Sequence, residues 1–175
     1  MFKTVNTKYK YATIISTIKK ALDNSEGFRE AVNESDWAKV DSFLNGFNWG
    51  YPYIAAFWQT IYEIEPDVLT KLGYVPAGFF AYTDIEDIDL PEGITSIQYS
   101  AFYKSNINSI WIPKSIERLE GYCLHSNSNF ISIKYNGTVK EWRKIKKDSD
   151  WLSDKYEPRS ADVYCIDERI GVGKK

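Results

Sequence analysis

Phe80-Ala81-Tyr82-Thr83-Asp84-Ile85-Glu86-Asp87-Ile88-Asp89-Leu90-Pro91 returns 22 residues later as Phe102-Tyr103-Lys104-Ser105-Asn106-Ile107-Asn108-Ser109-Ile110-Trp111-Ile112-Pro113. Phe, Ile, Ile, an aliphatic residue and Pro hold the same offsets in both stretches. The echo continues past each Pro: Ile94 and Ile97 fall on Ile116 and Leu119, and Ala101 falls on Cys123. A fixed period of about 20–50 residues marks stacked units that share one core and leave a long side free for a partner.

The period extends in both directions. Leu72, Val75, Phe79 and Phe80 stand one unit before Ile94, Ile97, Ala101 and Phe102. Leu124, Phe130, Ile133 and Tyr135 take the places of Phe102, Ile107, Ile110 and Ile112, with one residue inserted. The repeat therefore covers residues 72–136. Within a unit, Ile110-Trp111-Ile112 alternates as a short strand does, two residues in and one out. Pro113 cannot donate to a ladder and ends the strand; Gly93 and Ser115 follow as turn residues. A second short strand or turn carries Ile94 and Ile97, then Ile116 and Leu119. Stacking in register predicts parallel strands with Ile88, Leu90, Ile110, Ile112, Ile133 and Tyr135 inward.

The stretch Leu90-Pro91-Glu92-Gly93-Ile94-Thr95-Ser96-Ile97-Gln98-Tyr99-Ser100-Ala101-Phe102 and its continuation to Pro113 resembles the BspA-type leucine-rich repeat. That pattern reads LP-x-x-V-T-S-I-G-x-x-A-F-x-x-C-x-x-L-x-x-I-x-I-P. Ser105 stands where it has Cys, and Gln98 where it has Gly. Ile133-Lys134-Tyr135-Asn136-Gly137-Thr138, followed by Glu141-Trp142, resembles the family's closing unit. Trp151, then Val163-Tyr164-Cys165-Ile166-Asp167, resembles its final strand, with Glu168 in place of Gly. The resemblance spans residues 72–170. It implies an α+β fold, a short leucine-rich-repeat solenoid of parallel strands, and a recognition surface in place of a reaction centre.

Residues before the repeat have helical periodicity. Tyr11, Ile14, Ile15, Ile18 and Leu22 recur at three- and four-residue steps, and Asn24, Ser25 and Gly27 interrupt them. Ser35 is expected to cap a helix over 36–47, with Trp37, Val40, Phe43, Leu44 and Phe47 as its apolar stripe and Asn45-Gly46 as its stop. Pro52 suits the first turn of a helix through Ile64, with Ile54, Phe57, Trp58 and Ile61 on one side. Pro66 opens a last short helix ending at Gly73. The expected division is a helical N-terminal cap over 1–71, repeats with a closing unit over 72–170, and a tail over 171–175. The alternative is a separate partner-binding domain in the helical part.

Composition excludes some functions and favours others. The 13 Tyr and 6 Trp supply side chains that interfaces favour, although core filling accounts for most of them. A net charge of −2 gives no global attraction for nucleic acid. The charges are nonetheless segregated. Asp84, Glu86, Asp87, Asp89 and Glu92 lie in a stretch free of Lys and Arg, while Lys140, Arg143, Lys144, Lys146 and Lys147 cluster around Glu141. Met1-Phe2-Lys3-Thr4-Val5-Asn6 opens no charged-then-apolar leader, and no apolar run reaches about 18 residues, so a cytoplasmic, membrane-free chain is expected. Cys123 and Cys165 read as buried thiols, with a disulfide between them as the alternative.

No catalytic constellation emerges. His125 is the single histidine and falls in a turn beside Leu124. No Cys/His spacing suits zinc, the acidic run lacks the spacing of a calcium loop, and Gly171-Val172-Gly173 is too short for a phosphate loop. No cofactor and no metal are expected, and an enzyme is not. The outward strand positions form a ladder: Asp87 and Asp89, then Ser109 and Trp111, then Ser132 and Lys134. Trp111 either packs over neighbouring rungs or awaits a partner. Trp49, Tyr51 and Tyr53, in the turn before the Pro52 helix, form the competing surface. The expected function is non-enzymatic protein binding. Size and the absent leader look more like the family's phage members than its long secreted adhesins. That likeness implies a phage accessory protein that modulates or inhibits a host defence or regulatory protein in the host cytoplasm. A structural or assembly component of a virion or cell surface, and nucleic-acid binding through 140–147, are the rival classes.

Overall fold

The computed structural model describes residues 11–47, 50–125, 131–152 and 160–173. The opening segment from Met1 to Asn6, together with Trp49 and Phe130, lies outside the described residues. Helices α1 (Tyr11–Asn24), α2 (Glu26–Asn33), α3 (Trp37–Gly46), α4 (Tyr51–Ile64) and α5 (Val68–Leu72) precede the repeats. The expected break falls at Asn24 and Ser25, where α1 ends and α2 begins, but Gly27 lies inside α2. Ser25 is its N-cap and accepts the Phe28 N–H at 3.4 Å. Gly27 belongs to its first turn because the Phe43 ring packs where a side chain would be; a Cβ there would stand 3.1 Å from that ring.

The cap of α3 is also corrected, from Ser35 to Asp36, whose carboxylate accepts the Lys39 N–H at 3.1 Å. Ser35 instead makes the left-handed turn between α2 and α3. Trp37, Val40 and Leu44 are buried, while Phe43 and Phe47 are half-buried. Pro52 sits in the first turn of α4 as expected, and Ile54, Phe57, Trp58 and Ile61 are buried. Asp67, one residue past Pro66, stands at the N-cap of α5, and Gly73 ends it in the left-handed conformation.

The strands are β1 (Tyr74–Val75), β2 (Asp87–Asp89), β3 (Ser96–Ile97), β4 (Ser109–Ile112), β5 (Arg118–Leu119), β6 (Ile131–Tyr135), β7 (Lys146–Lys147), β8 (Ser160–Tyr164) and β9 (Arg169–Gly173), with the short helix α6 (Val139–Trp142) before β7. They form two ladders, β1-β3-β5-β7 and β2-β4-β6-β8-β9, parallel except for the final β8–β9 pair. Register follows the sequence period. Ile88 faces Ile110, Ile110 faces Ile133, and Ile112 faces Tyr135. All of these and Leu90 are buried.

The turns between ladders repeat as well. Gly78, Ser100 and Tyr122 share left-handed φ, as do Tyr82 and Lys104. These turns are bonded unit to unit: Phe80 N donates to Ala101 O at 2.8 Å and Phe102 N to Cys123 O at 2.9 Å. Ser105, where the pattern has Cys, is buried and donates to Phe102 O at 3.0 Å; Thr83 does the same to Phe80 O at 2.8 Å. A hydroxyl thus serves the position in both units.

An aromatic stack joins helices to repeats. Trp58 of α4 lies on Phe79 at 5.3 Å and 21°, Phe79 meets Phe80 at 4.6 Å, and Phe80 stacks on Phe102 at 4.9 Å and 17°. Such pairs add about 0.5–1.5 kcal/mol each beyond the area they bury. Val75 and Phe79 are buried and Leu72 half-buried, as a junction there requires. A polar tether supplements the stack: Tyr74 Oη donates to Asp41 Oδ2 of α3 at 3.0 Å. Burial pushes the Asp41 carboxyl up to about 6, against the pull of its Tyr74 and Asn45 hydrogen bonds.

At the other end, Thr138 and Glu141 form a capping box on α6, and Trp142 is buried. Two expectations are corrected here. Gly171-Val172-Gly173 is not a tail but part of β9, paired with Asp162, Ala161 and Ser160. Cys165 lies half-buried just beyond β8, not within a strand; it and the buried Cys123 are free thiols.

Candidate functional site

The parallel register turns the expected ladder into two outward columns on one sheet. Asp87, Ser109 and Ser132 align in one column, and Asp89, Trp111 and Lys134 in the other. Strand β8 extends both with Asp162 and Tyr164, which the sequence reading missed. They were hidden because residues 136–159 separate β6 from β8 and break the period. The columns grade in exposure. Asp87 and Asp89 on the edge strand β2 are exposed, whereas Ser109, Trp111, Ser132 and Lys134 are half-buried.

Trp111 does not stand alone. The Lys134 ammonium lies 3.6 Å from the centre of its ring, a cation–π contact worth about 0.5–1 kcal/mol at an exposed site. Tyr164 is covered in the same way by the Arg169 guanidinium at 5.6 Å, and Arg169 also pairs with Asp162. The Ser109 hydroxyl is buried and meets no hydrogen-bond partner among the described residues. Rings held under cations thus alternate with acidic and hydroxyl positions on this sheet face.

The basic segment is less uniform than its sequence. Lys140, Arg143, Lys144 and Lys146 are exposed, but Lys147 turns inward. Its ammonium donates to Trp142 O at 2.6 Å and Ile145 O at 3.1 Å and lies 4.5 Å from the Trp142 ring. Burial brings its pKa down to about 8. Lys147 therefore serves the closing unit, and four cations remain on the surface.

A second concentration of aromatic groups lies where α4 meets the turns of the repeats. Tyr51, Tyr82, Tyr99, Tyr103, Tyr122 and His125 line a cleft of about 570 Å³, with Gly50, Pro52 and Ser100. The rings touch in sequence. Tyr99 meets Tyr122 at 5.4 Å, Tyr122 meets His125 at 5.2 Å, His125 stacks on Tyr103 at 6.0 Å and 5°, and Tyr103 meets Tyr82 at 5.7 Å. Tyr51 closes on Tyr103 at 6.0 Å. Gly78 makes this possible. It is left-handed, and a Cβ on it would stand 2.6 Å from the Tyr51 ring, so a side chain there would have to displace that ring. Of the competing trio, Tyr51 joins this cleft, Tyr53 packs instead against Ala56, and Trp49 lies outside the described residues. The signal for the cleft was present in the period: Tyr103 and His125 share one offset, and Ser100 and Tyr122 another.

The model of the BspA type leucine rich repeat region matches residues 56–146, in 6 copies. The chain belongs to the BspA-type leucine-rich-repeat family. No curated protein and no solved structure matches it. The BspA-type match begins inside α4, earlier than the resemblance at residue 72, and ends at Lys146 before β8 and β9. It covers both Trp111 and Lys134 and the whole tyrosine cleft from Tyr82 onward. Repeats of this family are typically non-enzymatic and mediate protein interactions. No described helix is long and apolar enough to cross a membrane.

Proposed function

We propose that this chain is a non-enzymatic protein-recognition module: a short solenoid whose outward sheet face docks a protein partner. The observation that carries the reading is the register that sets Asp89, Trp111 and Lys134 in one column beside Asp87, Ser109 and Ser132. In this reading residues 1–71 cap the open first unit, and residues 72–173 form the recognition surface with its closing unit. Trp111 supplies affinity, because central aromatic anchors dominate interface energies. Asp87 and Asp89 orient the partner and tune its association rate. A narrower form rests on the resemblance alone: a phage accessory protein that binds and modulates a host protein.

The test compares capture by the wild-type chain, Trp111→Ala, Asp89→Lys and a Tyr51→Ser/Tyr53→Ser double variant. For a protein retained by the wild type, Trp111→Ala weakens binding at least about thirtyfold, mostly through faster dissociation. Asp89→Lys changes mainly the on-rate and its salt dependence. Full affinity in Trp111→Ala, with loss in the tyrosine double variant, would move recognition from the sheet to the helical side. Retention of nucleic acid with steep salt dependence would favour the exposed cations of 140–146 instead.

A further inference from the structure

We propose that the tyrosine cleft is a second recognition site, separate from the sheet face, and that its ligand is an extended proline-rich peptide with a basic residue at the Tyr99 end. The cleft draws on four separate segments: the start of α4 and the turns of three successive units. Its volume, about 570 Å³, falls within the range of about 300–1,000 Å³ that small-ligand sites occupy.

The lining selects the ligand's chemistry. It offers ring faces tipped with hydroxyls, and no lining residue carries a carboxylate, ammonium or guanidinium. A helix or a hairpin would arrive with its own backbone bonds satisfied. A polyproline II segment has no internal hydrogen bonds, so its carbonyls are free to accept from tyrosine hydroxyls while its flat rings lie on aromatic faces.

The charges at the two ends set polarity. At the Tyr82 end the Lys104 ammonium already lies over the Tyr82 and Tyr103 rings, at 5.6 and 5.2 Å. Those faces attract cations, but a resident cation fills the role and repels another. A neutral ring such as proline fits there, and a quaternary ammonium does not. At the Tyr99 end the sign reverses. A Cβ on Gly121 would stand 2.9 Å from an Asp150 carboxylate oxygen and 3.4 Å from the Tyr99 ring, so carboxylate and ring flank the same glycine. Glu120 is nearby, its carboxylate accepting the Tyr99 N–H at 3.1 Å, but Arg118 pairs with it at 3.6 Å. Asp150 has no ion pair among the described residues and is the acid left for a ligand's arginine or lysine. Burial, then Tyr51, Asp150 and Tyr103, push the Tyr99 hydroxyl's pKa up.

The experiment titrates the full chain calorimetrically with a proline-rich peptide bearing one terminal arginine, made in both orientations. An alanine–serine peptide of equal length and charge, and tetramethylammonium, are titrated alongside. One proline orientation binds saturably, and the alanine–serine peptide and tetramethylammonium do not. Tyr99 is 45% exposed, so Tyr99→Ala leaves the melting temperature in place while weakening the peptide at least about tenfold. Tyr99→Phe retains most of the binding, and Asp150→Asn weakens the bound arginine-bearing proline peptide a few-fold, an effect absent when its arginine is replaced by alanine. Trp111→Ala binds the peptide normally. The proposal is overturned by no saturable binding of either proline peptide, by equal binding of the alanine–serine peptide, or by binding indifferent to both Tyr99→Ala and Tyr82→Ala. Tyrosine-dependent binding of tetramethylammonium would overturn it in favour of a cation cage, and loss of peptide binding in Trp111→Ala would overturn its separateness.

Discussion

The two halves of this chain solve the same burial problem in different ways. In the repeats each unit lends its neighbour both hydrogen bonds and a matching side chain, so Ile88, Ile110 and Ile133 occupy one column and Phe80 and Phe102 another. In the helical part no position recurs. Its core is assembled from unlike aromatic rings: Phe28 touches Phe43, Phe47 and Phe57, and Trp58 delivers the stack to Phe79. A periodic core exposes its ends, and an aperiodic one can be shaped to cover an end. The difference explains why the two are joined by rings and by the Tyr74–Asp41 hydrogen bond with no spacer between α5 and β1.

Removing residues 1–70 breaks the comparison most severely. It uncovers Phe79 and Phe80, and the remaining chain is expected to aggregate when expressed. A soluble monomer with a cooperative melt would show instead that the repeats need no cover. Within the repeats, Ile110→Ala is expected to cost about 2–5 kcal/mol in denaturant unfolding, because the position is fully buried between two like neighbours. A cost below about 1 kcal/mol would argue that the column relaxes freely.

Gly78→Ala probes the junction. It forces a side chain into left-handed backbone and against the Tyr51 ring, for about 1–3 kcal/mol. Adding Tyr51→Ala should recover the steric part and leave the backbone part, so the double variant is expected to be less unstable than the sum of its singles. Strict additivity would place Tyr51 away from that turn.

Asp41→Asn is the smallest effect and the one with a pH signature. The carboxyl is raised from 3.8 to about 6 in the folded chain, so the native state binds the extra proton between those values. Its contribution is fully favourable below pH 3.8 and is lost as pH rises through about 6. The wild type should therefore lose stability across that window relative to Asp41→Asn, by on the order of 1 kcal/mol. Melting curves that run parallel from pH 3.8 to 6 would contradict the burial of this charge.

Legibility from sequence followed the same divide. Strands β2, β4 and β6, their register and their inward residues could be read because period 22 and alternation reinforce each other at every rung. Where the period fails, only the resemblance reached β8, and its place in the outward columns went unread; β9 runs antiparallel and has no counterpart in a unit. In the helical part the apolar stripes were readable, but Gly27 passed for a break because the ring that fills its place, Phe43, comes from another helix. The outward columns were readable as positions. The Lys134 cover on Trp111 was not, since a lysine's reach across a rung depends on its rotamer. The tyrosine cleft depends on turns whose residues vary while their left-handed backbone repeats, and composition alone does not reveal φ.

A protein partner is proposed to bind the outward sheet face. Amide hydrogen exchange of the chain, measured with and without a partner captured by the wild type, tests it most directly. Slowed exchange in β2, β4 and β6, spanning Asp87–Asp89, Ser109–Ile112 and Ile131–Tyr135, is the predicted result. Protection confined to α4 and the turns around Tyr99 and Tyr122, with the sheet unchanged, would contradict it.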